Sequence, residues 1–152
     1  MAIPRRVKEY LSYNNVSYSH KTRPVAEVAQ IPGSEFVKTV VLRADERMIL
    51  AVLPEDYVIN FEILEKQAGC GKLALASEKE FIEEFSDCQP GAMPPFGRLF
   101  GLPLYCESTL AKQAEMEFKA GTHVDTVRIT FASFVKLEYP IMLRFSEKHD
   151  ST

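Results

Sequence analysis

Three short stretches of this 152-residue chain combine residue types that could do chemistry. Lys38 interrupts Val37-Lys38-Thr39-Val40-Val41-Leu42, a run otherwise suited to a buried strand. Strand alternation puts it on the face of Val40 and Leu42. An ammonium on a rigid strand is a point charge in a fixed place, able to hold a phosphate or a developing oxyanion. The competing reading is a sheet-edge lysine that lifts its amine to water and discourages aggregation. The second stretch, Gly91-Ala92-Met93-Pro94-Pro95-Phe96-Gly97, has the form G-x-x-x-P. Proline fixes φ and glycine permits close backbone approach, so the loop could offer the Ala92 and Met93 amides to an oxyanion. It could equally be a rigid connection. The third is Ala120-Gly121-Thr122-His123, where a histidine beside a glycine could orient water, donate to a phosphate, act as a general base or simply be solvated.

Other machineries find no support. No carboxylate pair, H-E-x-x-H or Cys/His cluster has metal spacing, so neither a metal nor a cofactor is expected. No G-x-S-x-G and no G-x-x-x-x-G-K-[ST] is present. His20 and His149 are weaker candidates, one ending a short expected strand and one in a polar tail.

The elements that must position these residues can be read from periodicity and punctuation. Pro4–Tyr13 has Val7, Tyr10 and Leu11 at helical spacing. A strand is expected over Val16–His20, then a helix capped by Thr22 and ended by Pro32-Gly33. Val37–Leu42 and Met48–Leu53, joined by the charged turn Arg43–Arg47, form a hairpin signature. Asn60 caps a helix to Ala68, Leu73–Ala76 is a short strand, and Ser77 with Glu80 opens a helix whose Phe81, Ile82 and Phe85 share a side. Gln89 to Pro103 holds four prolines and three glycines and reads as loop. Strands follow at Leu104–Cys106, Met116–Ala120 and Val124–Thr130, then a helix capped by Thr130, and a polar tail expected to fray from Ser146 to Thr152.

Bulk properties bound the class. The length suits one domain with a real core, and 46% apolar with 26% charged residues is ordinary globular usage. Strands and helices do not alternate regularly, which implies an α/β chain with a mixed, largely antiparallel sheet and helices packed around it. Three cysteines without a C-x-x-C pair argue against a disulfide framework and for reduced thiols. No signal peptide and no apolar run near ~20 residues is visible, so a cytoplasmic protein without membrane attachment is expected. A net charge of −3 rules out coating a long polyanion such as DNA, while leaving room for one nucleotide end in a small basic pocket.

Taken in order, the three stretches and their surroundings resemble the YbaK/prolyl-tRNA editing domain family. The matching segments are Phe36–Leu42, Leu50-Ala51-Val52-Leu53-Pro54, Leu73–Ser77, Asp87–Gly97, Gly101-Leu102-Pro103 and Phe118–His123, spanning about residues 5–140. The resemblance implies one editing domain over 1–152 with a strongly curved sheet and a cleft for the aminoacylated 3′ end of tRNA. It implies that Lys38 holds the terminal nucleotide or the carbonyl, that Gly91 and Pro95 belong to the loop polarising the ester, and that Gly121 and His123 line the same cleft. Thr39, Ala92, Met93, Phe96, Gly97 and Thr122 are then expected to contact substrate. The loop departs from several family branches, which carry small or polar residues where this chain has Met93-Pro94-Pro95.

The implied activity is a free-standing, trans-acting aminoacyl-tRNA deacylase, with an aminoacyl-tRNA synthetase as a second candidate partner. An aminoacyl ester is already activated, so orienting water and stabilising an oxyanion suffices, without metal. The substrate would carry a small amino acid of the alanine, cysteine, serine or proline kind, because a synthetase gains only ~1–3 kcal/mol from one methylene. The rival reading is a non-catalytic module binding the tRNA end or another nucleotide as sensor or adaptor. A small-molecule esterase lacks a nucleophile–base pair.

Overall fold

The computed structural model describes residues 3–149. The first helix, α1 (Arg5–Tyr13), follows Pro4 and buries Val7 and Leu11, one turn apart, against the main core. β1 covers Ser19–Thr22, later than the expected Val16–His20. Thr22 does not cap the next helix; its hydroxyl donates to Asp125 at 2.7 Å, and α2 (Val25–Val28) starts after Pro24 instead. A long-range carboxylate therefore outcompetes a local cap and shortens the helix.

The hairpin forms as its pattern predicts. β2 (Val37–Ala44) and β3 (Arg47–Pro54) pair antiparallel from Val37 opposite Pro54 to Ala44 opposite Arg47. Asp45, at φ 56°, makes the turn, and its carboxylate accepts from the amides of Gly71 and Lys72. Val37, Val41, Leu50 and Val52 face one apolar core; Leu42, Ala44, Ile49, Ala51 and Leu53 face another on the opposite side. Both faces of this hairpin are thus buried, which explains its near-continuous apolar runs.

β4 (Tyr57–Ile59) precedes α3 (Phe61–Ala68), where Asn60 accepts from the Ile63 amide and Gly69 closes the helix at φ 70°. β5 (Leu73–Leu75) leads into α4 (Glu78–Phe81), capped by Ser77 and shorter than expected. Phe85 still reaches the core and packs on Phe100 at 4.2 Å, but Ile82 is exposed. The Pro/Gly-rich segment contains a short helix, α5 (Gly97–Phe100), before β6 (Leu104–Glu107). β7 (Glu115–Lys119), β8 (Asp125–Thr130) and α6 (Phe131–Glu138), capped by Thr130, follow as expected. The chain then adds β9 (Ile141–Leu143) and β10 (Ser146–Lys148).

The mixed, largely antiparallel α/β architecture is divided among three sheets, ordered β1-β8-β7, β10-β4 and β5-β2-β3-β6-β9. Only β6 pairs in parallel, with β3 and β9. The first and third sheets meet where Phe36 bridges Glu117. The expected fraying from Ser146 is corrected as far as His149: β10 pairs with β4, and the fully buried Glu107 carboxylate accepts from the Phe145 amide and from the Ser146 amide and hydroxyl. Residues 150–152 of that tail lie outside the described residues.

Candidate functional site

β5 pairs with β2 only from Leu42 onward, so the Lys38–Val40 segment keeps one edge clear of strand partners. The G-x-x-x-P loop crosses that edge. Between them lies a cavity of about 220 Å³ lined by Lys38, Thr39, Gly91 and Met93. A second cavity of about 200 Å³ is lined by Val25, Val28, Ala29 and Ile31 of the α2 region and by His123. Phe36, Glu55 and Lys119 line both, so the two chambers form one cleft. Both chambers mix apolar walls with charged groups: Lys38 and Thr39 belong to the first, and the second sets His123 beside the aliphatic residues of the α2 region.

Four hydrogen bonds stitch the two loops into one roof. The Gly121 amide donates to the Ala92 carbonyl at 2.7 Å, and the Gln89 amide to the Gly121 carbonyl at 2.8 Å. The His123 amide donates to Gln89 Oε1 at 2.9 Å, and His123 Nε2 lies 2.8 Å from the Pro90 carbonyl. A carbonyl only accepts, so Nε2 bears the proton and Nδ1 accepts from Lys119 Nζ at 3.2 Å. Both ring nitrogens are occupied, which makes His123 a strut between Lys119 and the loop. Gly91 sits at φ +83°, and a Cβ there would lie 3.3 Å from His123 Cε1. Its lack of a side chain thus admits the imidazole.

Beneath the roof runs a buried polar network. The Asp125 carboxylate, fully buried, accepts from Thr22 and Thr122 hydroxyls and pairs with His20 Nε2 at 2.8 Å. Burial opposes its ionisation, yet the bonds from Thr122, His20 and Thr22 hold its pKa below the ordinary carboxylate value. Thr122 Oγ1 also accepts from the Asp125 amide at 2.9 Å, fixing the turn that presents His123. Glu117 accepts from Arg23, Thr126 and Arg128 at 2.6–3.0 Å.

The structure brings Lys38, Thr39, Gly91, Met93 and His123 to the cleft and places the other expected site residues elsewhere. Phe96 is fully buried, its ring 5.3 Å from Tyr10 and 5.4 Å from Phe118, so it is core. Gly97 opens α5, where a Cβ would come within 2.5 Å of the Leu102 carbonyl. Pro95 is buried outside both cavity linings. Gly121 sits at φ +95°, and a Cβ there would overlap the Pro4 ring, so both the backbone and the packing call for glycine. Thr122 is buried against Asp125. Ala92 is buried too, and its amide donates to the Gln89 carbonyl at 2.9 Å, which removes it as an oxyanion donor. The Met93 amide has no hydrogen-bond partner among the described residues.

Three participants escaped the sequence reading. Lys119 ends a strand next to Ala120-Gly121, where a lysine looks merely solvated. Glu55 follows a strand-ending Pro54 and carries no local signal at all. Gln89 acts through its side chain only because the loops meet. The buried Thr39 hydroxyl has no partner among the described residues, unusual for a polar group so enclosed. Size alone would have chosen another place: a cavity of about 730 Å³ near Tyr10, Arg98 and Lys136 contains none of the expected site residues.

The family model of the aminoacyl-tRNA editing domain matches residues 19–137, a span that contains both loops and both cleft lysines. The chain belongs to the aminoacyl-tRNA editing domain family. This editing domain is 37% identical over 73 residues to a proline–tRNA ligase of Thiobacillus denitrificans (strain ATCC 25259 / T1), a match covering 48% of the chain and 12% of the ligase. The chain thus spans only a small part of that relative's length. Among solved structures, it resembles a proposed trans-editing enzyme for prolyl tRNA synthetase, with a TM-score of 0.80, 22% identity and coverage of 94% of this chain and 96% of the other. The hypothetical protein APE2540 matches with a TM-score of 0.81 and 21% identity, over 94% of this chain and 100% of that one. At such identities the structures establish the fold of this editing domain.

Proposed function

We propose that the chain is a trans-acting deacylase that hydrolyses the ester of tRNA mischarged with a small amino acid. The observation that carries this reading is the two-chamber cleft: Lys38 and the unpartnered Met93 amide border one chamber, the small aliphatic side chains of the α2 region border the other, and Lys119 borders both. The editing-domain family supplies the substrate class. The likeness to a proposed trans-editing enzyme, matched over nearly its whole length, supports action in trans.

In this reading the ester carbonyl lies between Lys38 and the Met93 amide. As water adds, charge grows on the carbonyl oxygen, and donors already aimed at it lower the barrier; one such donor typically contributes ~10²–10³ in rate. Lys119, braced by His123, presents a second cation to the terminal phosphate. His123 acts by holding Lys119 and the loop in place. The tetrahedral intermediate collapses with departure of the ribose hydroxyl of the terminal nucleotide, releasing the free amino acid.

The decisive measurement is release of labelled amino acid from a panel of alanyl-, cysteinyl-, seryl- and prolyl-tRNAs, with Lys38→Ala as control. Release dependent on Lys38 from one or two members is the expected result. Retained tRNA binding with no release from any member would assign the chain to the non-catalytic binding modules instead.

A further inference from the structure

Among the described residues the cleft has one acidic side chain. Glu55 lines both chambers at their junction, together with Lys119 and Phe36, and no other carboxylate borders either cavity. Its backbone is fixed, the amide donating to the Phe36 carbonyl at 2.7 Å, which continues the β2–β3 ladder by one residue. Its carboxylate makes no hydrogen bond or ion pair among the described residues, although Lys119 borders the same space. Glu55 is exposed, so its carboxylate is solvated and open to a cationic group of a ligand seated at the junction.

The proposed substrate contains such a cation, and in the right place. An aminoacyl ester carries its α-ammonium on the carbon that joins the ester carbonyl to the side chain. With the carbonyl beside Lys38 and a small side chain against the aliphatic residues of the α2 region, that carbon falls at the junction. We propose that Glu55 binds the α-ammonium of the aminoacyl group and makes this cleft selective for aminoacyl esters over acyl esters lacking the charge. The proposal rests on the deacylase reading above and deepens it. It explains why one anion stands among cations: Lys38 and Lys119 face the carbonyl and phosphate, and Glu55 faces the only positive group of the substrate. Selectivity of this kind comes from a charge-assisted hydrogen bond that an uncharged analogue cannot make.

The test uses the full chain and the aminoacyl-tRNA found to be cleaved in the panel, beside its α-hydroxy acid counterpart (lactyl-tRNA for alanyl-tRNA). That exchange removes the ammonium at nearly constant size. The wild type is expected to favour the aminoacyl ester in kcat/KM by about tenfold or more, the range of one charge-assisted bond. Glu55→Gln, at an exposed position where the fold tolerates change, is expected to lose that preference to within about twofold by slowing only the aminoacyl substrate. Equal slowing of both esters by Glu55→Gln would overturn the proposal and assign Glu55 to tuning Lys119. So would a wild-type preference that survives Glu55→Gln. Release from no member of the panel would overturn the deacylase reading, and this inference with it.

Discussion

The two arms of the cleft are built from opposite materials. Lys38 rides on the β2–β3 ladder, whose flanking side chains are apolar on both faces. His123 hangs from β7 and β8, where Asp125 and Glu117 are buried and satisfied by hydroxyls, arginines and a histidine. An apolar ladder is insensitive to pH and holds a backbone position through packing. A buried carboxylate with directional partners fixes the orientation of a turn, at the cost of depending on its own ionisation. The difference teaches that the strand supplies a site for a charge, whereas the network sets the pose of a loop.

The sharpest way to separate the arms is through stability against pH. Asp125→Ala and Leu50→Ala should each cost about 3 kcal/mol at neutral pH, one by stripping the buried network and one by opening a core cavity. Their acid behaviour should differ. Because the folded-state pKa of Asp125 is depressed, its contribution is complete above the unfolded value near ~3.9 and disappears as pH falls through the folded one. Thermal melts should therefore show the Asp125→Ala deficit shrinking below about pH 4 while the Leu50→Ala deficit stays level. Parallel deficits for both variants would dissolve the distinction.

Lys38→Ala comes next, with a loss of about 10² in kcat/KM and a melting temperature close to wild type, since a half-exposed lysine adds within ~0.5 kcal/mol to stability. Gly91→Ala should follow. Its φ of +83° strains any side chain and a Cβ crowds His123, so about 1–2 kcal/mol of stability goes with a larger loss of turnover. The smallest effect is expected for His123→Asn, roughly fivefold in kcat, or ~1 kcal/mol, with an unchanged pH profile because the imidazole braces Lys119 and the loop and exchanges no proton with the substrate. A pH profile that flattens in this variant would return His123 to the role of general base.

What the sequence made legible follows from how local each signal is. The hairpin, the Asn60, Ser77 and Thr130 caps and the three motif stretches depend on neighbours within a few residues, and all are present. β10 was invisible because Ser146-Glu147-Lys148 has no strand pattern; it is a strand because Glu107, about forty residues earlier, waits for its amide. Thr22 looks like a cap in isolation and loses that role to Asp125. The candidate site divides the same way. Lys38 and Gly91 announce themselves by violating their surroundings, a charge in an apolar run and a glycine before prolines. Phe96 and Gly97 share the same loop but face inward, which motif membership cannot reveal. Glu55 matters only through β2 and β7 residues that border the same cavity, and Gln89 only through contacts across more than thirty residues.

The seam between the two loops has a further meaning for how this cleft recognises anything. With Gly121 bonded to Ala92, Gln89 to Gly121, and His123 to both Gln89 and Pro90, the roof is held by the chain's own hydrogen bonds and needs no ligand to close it. Little conformational entropy remains to be lost on binding, so discrimination rests on fit to a preorganised wall and not on a closing lid. Amide exchange would register this directly. The Gly121 and His123 amides, though in a loop, should exchange as slowly as those of the flanking strands, and a bound tRNA end should leave their rates unchanged.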